Sequence, residues 1–404
     1  MAKRIVITGL GIVCALGESV DSFWQSLVNG RSAIRSLPDN IRTTKIRIGA
    51  MASTFEGASY FDHDELILLD RFSQFAVVAA RQAIEDAAMG CHNDHMERVA
   101  AVIGSGCGGK YTDEDTYVRL YKEGRARVHP MTIPKGMPSA AASMVGSYLG
   151  IKGPTFSVAS ACASAAHAVA QGCMLIRCGL ADAVIVGGAD APFTHGLLKS
   201  WEALRVVSND TCRPFSKNRT GMVLGEGAAV LMIESEQHAA RRGARVYAEL
   251  AGVGMSSDAG HITRPDLNGV SNAIICAMKD SGLSPRDIDY VNAHGTATDA
   301  NDIVETQALH QAFGPHAASL AVSSTKSMHG HALGASSALE LVATVLAVYH
   351  GIIPPTVNFT EPGAGCDLDY VPNEARTCIV NAALSNAFAF GGLNAVVAVK
   401  AWNK

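Results

Sequence analysis

At 404 residues, 48% of them hydrophobic and only 17% charged, the chain is long enough for two cores or two fused halves and too apolar for a disordered protein. Lysine plus arginine total 33 against 37 for aspartate plus glutamate, which removes any electrostatic reason to expect nucleic acid or an anionic membrane as a main partner. Ten cysteines are scattered without a CxxC pair or a His/Cys cluster at zinc spacing, which reads as the reduced thiols of a cytoplasmic protein.

The chain opens MAKRIVITGLGIVCALGE, a superficial likeness to a signal peptide, but glycines interrupt the apolar run and no small-residue cleavage site follows. A buried strand over residues 4–8 and then a turn is the expectation. A helix over 71–88 and a strand over 99–103 come next, the alternation of an α/β protein. The segment GSGCGGK at 104–110 copies the phosphate-cradling pattern GxxxxGK. Tyr111 stands where the magnesium-binding hydroxyl residue belongs, so the glycines are read as room for backbone to approach a substrate. Gly9-Leu10-Gly11 likewise lacks the third glycine of a dinucleotide fingerprint. The polar stretch 112–130 reads as an inserted surface loop.

Residues 161–177 carry small and apolar side chains on every face, which predicts a helix buried on all sides, followed by a strand at 183–186 and a linker-like stretch at 208–220. Strands at 246–250, 290–292 and 320–322, a second buried helix over 335–349 and a turn at Pro354-Pro355 repeat the plan. SACASAAHAVA in the first half and HALGASSALELVA in the second suggest an internal duplication with a boundary near Gly243. No stretch has the roughly 18 or more uninterrupted apolar residues expected of a membrane span.

Three loops carry chemistry. Cys162 sits in SACAS where a turn feeds a buried helix, and the amides and dipole there favour thiolate, lowering a thiol pKa from about 8.5 to roughly 3.5–7.5. His294 lies in NAHGTAT directly after a strand end, the position at which α/β folds place reactive groups. The segment SSTKSMHGH brings Lys326, His329 and His331 to the start of the second buried helix. Each alone reads as an inert thiol or a hydrogen-bonded loop residue. Together a nucleophile, imidazoles and a fixed cation suit acyl transfer and enolate stabilisation. Metal binding by the histidines lacks carboxylates at a familiar spacing.

The combination of ACASA, NAHGTAT, SSTKSMHGHALGA and NAFAFGG resembles the β-ketoacyl-acyl carrier protein synthases of the elongating type II class, in the thiolase-like superfamily, over nearly the whole chain. PKGMPSAAA, WEALRV and the SMH variant bring it nearest to nodulation protein E-like synthases. The resemblance implies an α/β, thiolase-like five-layer αβαβα sandwich of two pseudo-duplicated halves, residues 1–245 with the cysteine and 246–404 with the histidines and lysine. It implies a ping-pong, decarboxylative condensation in which Cys162 holds the acyl chain and His294 and His331 stabilise the malonyl enolate. Lys326 and Glu305 would order the histidine loops, and the amides of Cys162 and Phe390 would form the oxyanion hole. Thr296 and Thr298 would bind the phosphopantetheine arm, Phe390 would gate the acyl pocket, and Cys107, Phe388 and Trp201 would also touch substrate.

Asn292, Glu340, Ser385 and Asn386 match a structural monovalent-cation site (sodium or potassium), with no other cofactor beyond the carrier's phosphopantetheine. The implied partners are an acidic acyl carrier protein, met by a basic rim for which Arg125, Arg127 and Arg205 are candidates, and a second subunit. A homodimer is expected, with a chain-length-factor-like heterodimer as the alternative, and neither nucleic acid nor membrane. Cys107 replaces a bulkier aliphatic residue of the housekeeping enzymes, His329 a threonine, and Ala389 and Leu393 the glycine and threonine of their gate. A longer, unsaturated or otherwise specialised acyl chain is therefore the expected substrate. A degradative thiolase would carry a second cysteine where this chain has Phe390-Gly391-Gly392, and a non-catalytic subunit would not keep Cys162, His294 and His331.

Overall fold

The computed structural model describes residues 3–39, 41, 45–90 and 96–402. Ten strands make one mixed sheet: β1 (Ile5–Cys14), β2 (Val99–Gly104), β3 (Thr155–Val158), β4 (Ala183–Asp190), β5 (Gly227–Ser235), β6 (Ala248–Ser257), β7 (Tyr290–Asn292), β8 (Ala321–Ser323), β9 (Ala382–Ala389) and β10 (Leu393–Ala401). Their order is β8-β7-β9-β10-β6-β1-β5-β4-β2-β3. Divided between β6 and β1, the two sides have the same plan, 3-2-4-5-1, once five is subtracted from the numbers of the second. The senses match as well. β2 runs parallel to β3 and β4, and β5 is antiparallel to β4 and β1. β7 runs parallel to β8 and β9, and β10 is antiparallel to β9 and β6. Within the sheet, the strands of the two halves pair where Val6 and Ile7 face Glu249 and Ala248.

Six helices complete five layers: α1 (Arg71–Asp86) and α2 (Ala140–Leu149) outside one half, α3 (Ser164–Arg177) and α6 (Ser336–His350) in the middle, α4 (Leu267–Ser281) and α5 (Asp299–Phe313) outside the other. Alternate residues along a strand serve different cores. Leu231 joins the central cluster around α3 and α6, while Val230 and Met232 join the outer cluster under α1. Strands buried on both faces read as continuous apolar runs, and β4 and β5 do so. Residues 333–350 are apolar and long enough to cross a membrane by length and composition, but 89% of that stretch is buried as the innermost helix of the fold.

The glycines read as ending strands early instead mark where helices press on the sheet. The expected turn after residue 8 is strand, because β1 runs on to Cys14 with Gly9 and Gly11 under α1. A Cβ there would lie 2.0 Å from the Ala83 carbonyl oxygen or 1.9 Å from that of Ala79. β6 repeats the device and extends past residue 250, since a Cβ at Gly254 would lie 2.1 Å from the Ala273 carbonyl oxygen of α4. β4 continues through Gly187-Gly188, where a Cβ at Gly188 would lie 2.8 Å from the Ala165 Cβ of α3 and one at Gly187 would lie 2.1 Å from the Ala229 carbonyl oxygen of the neighbouring strand β5.

Two further expectations change. Residues 112–130 are not all loop, since Lys110–Tyr117 is an α-helix continued by a π-turn over Val118–Lys122; it buries no residue, so no apolar stripe announced it. The linker-like 208–220 contains Phe215, fully buried and stacked 4.1 Å from the Tyr370 ring. Glu234 of β5 is also fully buried and accepts from Arg242, from His238 Nδ1 at 2.5 Å and from Thr8. Burial pushes its carboxyl up, but Arg242 and His238 outweigh this and hold it at about 2.

Candidate active site

The reactive turn begins with a strained residue. Ala161 has φ 49°, a left-handed conformation costly for a side chain with a Cβ, and it starts a 3₁₀ turn over Ala161–Ala163 that leads into α3. The single helix expected from 161 therefore splits into an elbow and a helix. The second half repeats this: Leu333 has φ 50° and starts the 3₁₀ turn Leu333–Ala335 ahead of α6. Gly334 thus occupies the position that Cys162 holds in the first half.

Cys162 is 7% exposed, and its Sγ lies 3.1 Å from His331 Nε2. The other ring nitrogen, Nδ1, is 2.7 Å from Ser336 Oγ. The His294 ring stands 5.5 Å from that of His331 at 85°. Burial pushes the Cys162 thiol up to about 12 against the pull of Lys326, and burial with Lys326 holds both imidazoles well below their ordinary range. The expectation of a depressed thiol pKa is thereby corrected, because a helix start closed off from water offers the thiolate too little solvation. Neutral thiol and neutral imidazoles share the site, so the nucleophile forms by proton transfer as it attacks.

His294 is held from three sides. Glu305 accepts the amides of His294 and Gly295, each at 2.8 Å, and also Asn386 Nδ2 at 3.1 Å. Lys326 Nζ donates to the His294 carbonyl oxygen at 2.6 Å, pairs with Glu340, and lies 3.3 Å from His294 Nδ1. An ammonium offers only donors, so His294 Nδ1 accepts and the ring carries its proton on Nε2. His329 lies against Thr325 and the Gly330 carbonyl, fully buried.

Cys162, His294 and His331 open into a cleft that Thr296, Thr298, Phe388, Phe390 and Trp201 also line. Thr296 and Thr298 share a hydroxyl hydrogen bond of 2.9 Å, and the Trp201 and Phe390 rings lie 6.2 Å apart across the mouth. The loop from His261 to Pro265 completes the mouth, a contribution that its polar sequence did not signal. Arg205 ends the helix that carries Trp201, next to this mouth. Arg125 and Arg127 line a separate depression with Arg119 and Lys135, and Arg125 pairs with Glu123 at 3.0 Å.

The Gly-rich loop before Lys110 has no room for phosphate. The buried Asp190 carboxylate already accepts Gly106 and Cys107 amides at 2.8 and 3.0 Å, with Ser105 Oγ at 2.8 Å and the Gly334 amide at 2.7 Å. Lys110 pairs with Asp113. Asp190 thus ties the Cys107 loop to the turn that follows His331. Sequence reasoning missed it, although a lone carboxylate ending an apolar strand was a visible signal.

Three buried acceptors, Asn292 Oδ1, Asn386 Oδ1 and Glu340 Oε2, receive no hydrogen bond from the described residues. Asn292 faces Ser385 across β7 and β9 and donates from Nδ2 to the Glu340 carbonyl oxygen at 3.3 Å. An all-oxygen set of this kind fits a hard monovalent cation.

Sequence models for the N-terminal and C-terminal domains of beta-ketoacyl synthase match residues 2–239 and 247–360. Nodulation protein E of Rhizobium sp. strain N33 is 47% identical over 401 residues, covering 99% of this chain and 100% of that protein. The 3-oxoacyl-[acyl-carrier-protein] synthase 2 of Synechocystis sp. is 41% identical over 407 residues, covering 98% of each. Among solved structures, a chain of the ishigamide ketosynthase/chain length factor superposes with a TM-score of 0.95 at 33% identity over 100% of both chains.

Proposed function

The chain belongs to the beta-ketoacyl synthase family, and from that premise we propose that it lengthens acyl chains by condensing them with a malonyl unit delivered on acyl carrier protein. The reading rests above all on the 3.1 Å contact between Cys162 Sγ and His331 Nε2, with His294 at right angles in the same cleft.

In the first half-reaction the thiol proton passes to imidazole while Sγ attacks the thioester carbonyl of an acyl carrier. The amides of Cys162 and Phe390 receive the oxyanion. Collapse expels the carrier sulfur, which takes the proton. In the second, the malonyl thioester carbonyl meets the His294–His331 pair, the carbon–carboxylate bond breaks, and carbon dioxide leaves. N–H donation stabilises the enolate. Its carbon then attacks the Cys162 thioester, a carbon–carbon bond forms, the carbon–Sγ bond breaks, and the thiolate takes a proton from water. Glu305 and Lys326 hold the His294 loop throughout, and Thr296 and Thr298 receive the pantetheine arm.

Asn292, Glu340, Ser385 and Asn386 would hold a sodium or potassium ion that ties the histidine loops together, and no other resident cofactor is proposed. The carrier would dock beside Arg205 at the mouth, with Arg125 and Arg127 engaging it only where a second subunit brings them near. That subunit is another copy of the chain, or a chain-length-factor-like partner. The sheet ends in the exposed edge strand β3 with Phe156, and Tyr121 and Ile133 lie exposed in the segment preceding it. The working units are residues 1–245 and 246–404, and the place of work is the cytoplasm.

Intact-mass analysis after mixing with candidate acyl carriers tests the reading. A mass gain confined to Cys162, followed by carbon dioxide release from malonyl carrier and a lengthened product, is expected. A chain that neither loads Cys162 nor releases carbon dioxide is not a condensing enzyme.

A further inference from the structure

Three carboxylates beside the mouth of the cleft are engaged, and two arginines there are not. After β6 the chain crosses the mouth from Asp258 to Asp266 before α4 begins. Asp258 accepts the Asp266 amide at 2.9 Å and Asn394 Nδ2 at 2.6 Å, and Asp266 accepts the Asn268 and Gly269 amides at 3.0 Å each. Asp299, at the start of α5, pairs with Arg219 at 2.9 Å. Arg264 is exposed and lines the mouth, and Arg205 follows the helix His195–Leu204; neither side chain makes an ion pair or hydrogen bond with a described residue. We propose that Arg264, together with the ring N–H of His261, binds the phosphate of the phosphopantetheine arm that brings acyl and malonyl groups to Cys162. The proposal rests on the condensing role given above and names the group that the mouth itself reads.

The loop holds these donors in place. Asp258 closes its two ends through the Asp266 amide, its own amide donates to the Gly392 carbonyl at 3.0 Å, and the Ile262 carbonyl accepts the Gly391 amide at 2.7 Å. Pro265 restricts the backbone directly after Arg264. His261 Nδ1 accepts the Thr263 amide at 3.1 Å. A main-chain N–H can only donate, so the neutral ring carries its proton on Nε2. Arg264 and His261 thus line the same cleft as Thr296 and Thr298, with Cys162 and His294 inside it. The arm has a matching order of groups: a sulfur that must reach Cys162, amides along its length, and at the far end a phosphate, its one charged group. A guanidinium suits that end, because its planar fork can give two parallel N–H bonds to phosphate oxygens. The acidic surface of the carrier protein is the other source of negative charge. Arg264 lines the passage that the arm must thread, which favours the phosphate.

Small thioesters separate the arm from its carrier. Acyl-phosphopantetheine, whose terminal phosphate stands in for the carrier's diester, is expected to load Cys162 with about tenfold higher kcat/KM than acyl-pantetheine, the worth of a hydrogen bond to a charged group. The gain should lie in KM and shrink as salt is raised. In Arg264→Ala the ratio of the two thioesters should fall toward one, and Arg264→Lys should restore part of it. A ratio near one in wild type, or one that Arg264→Ala does not lower, overturns the assignment. So does a variant slowed only on carrier-borne substrates, which would set Arg264 against the carrier's acidic surface. Titration calorimetry with unacylated phosphopantetheine and pantetheine requires no reaction. Binding about tenfold tighter with the phosphate, and lost in Arg264→Ala, is expected. Equal binding overturns the site even if wild-type protein has failed to load Cys162 and the condensing role has fallen with it.

Discussion

Lys326 Nζ donates to the main-chain oxygen of His294 at 2.6 Å while standing 3.3 Å from the Nδ1 of the same residue. One ammonium therefore fixes both the position of that loop and the proton location on its ring. Lys326→Met is expected to cut malonyl decarboxylation by about a hundredfold or more, the scale seen when a preorganised electrostatic contact is lost. The variant also strands the buried Glu340 carboxylate, which costs about 3–5 kcal/mol. Adding Glu340→Leu should recover part of the stability in a denaturant titration and none of the carbon dioxide release.

Cys162→Ala should end acyl loading and condensation yet still release carbon dioxide from malonyl carrier, because His294 keeps its N–H without the thiol. Trapped-gas counting beside intact-mass analysis checks this. Loss of both activities together would tie the thiol to decarboxylation.

Acid should unfold the protein partly through Glu234. Its folded carboxyl is held at about 2 against an ordinary value of 4.5, so its stabilisation is complete above about 4.5 and is lost as pH falls toward 2. A shift of that size corresponds to about 3 kcal/mol. Glu234→Gln should be less stable at pH 7, and its stability should fall less steeply between pH 4.5 and 2, followed by urea midpoints.

Asp190→Ala leaves three amides and a hydroxyl without their acceptor in a buried site. A loss of about 3 kcal/mol or more is expected, together with slower acyl loading, because the Cys107 loop and the turn after His331 lose their common anchor. Unfolding curves and loading rates measured on the same preparation test both halves of the statement.

Cys107→Ile should move acyl preference toward shorter saturated chains by about 1–3 kcal/mol in relative kcat/KM, the usual worth of a methylene or so in an apolar pocket. Rates over a ladder of acyl carriers measure it, and an unchanged ranking would show that Cys107 does not set the pocket.

Much of this was legible in the residues. The elbow around Cys162 and the loops of His294 and His331 stood out because small and hydroxyl residues break apolar runs where strands end. The length of β1 and β6 was hidden by Gly9, Gly11 and Gly254, which imitate turn signals although each makes way for a helix. The helix over Lys110–Tyr117 escaped because it buries nothing. Asp190 stood out as a lone carboxylate ending an apolar strand, but its role did not, because the partners that give it one, at 105–107 and 334, lie in other segments of the chain.

The matching turns at Ala161 and Leu333 bear on how a twofold plan came to have one centre of reaction. A copied half would begin with the same bent entry to its middle helix and the same inward-facing amide. In one copy that amide belongs to the residue bearing the sulfur; in the other it belongs to Gly334 and is engaged by Asp190. A single carboxylate thus turns what would be a second workshop into a rivet, and the symmetry of the scaffold survives in the backbone while the chemistry is confined to one side.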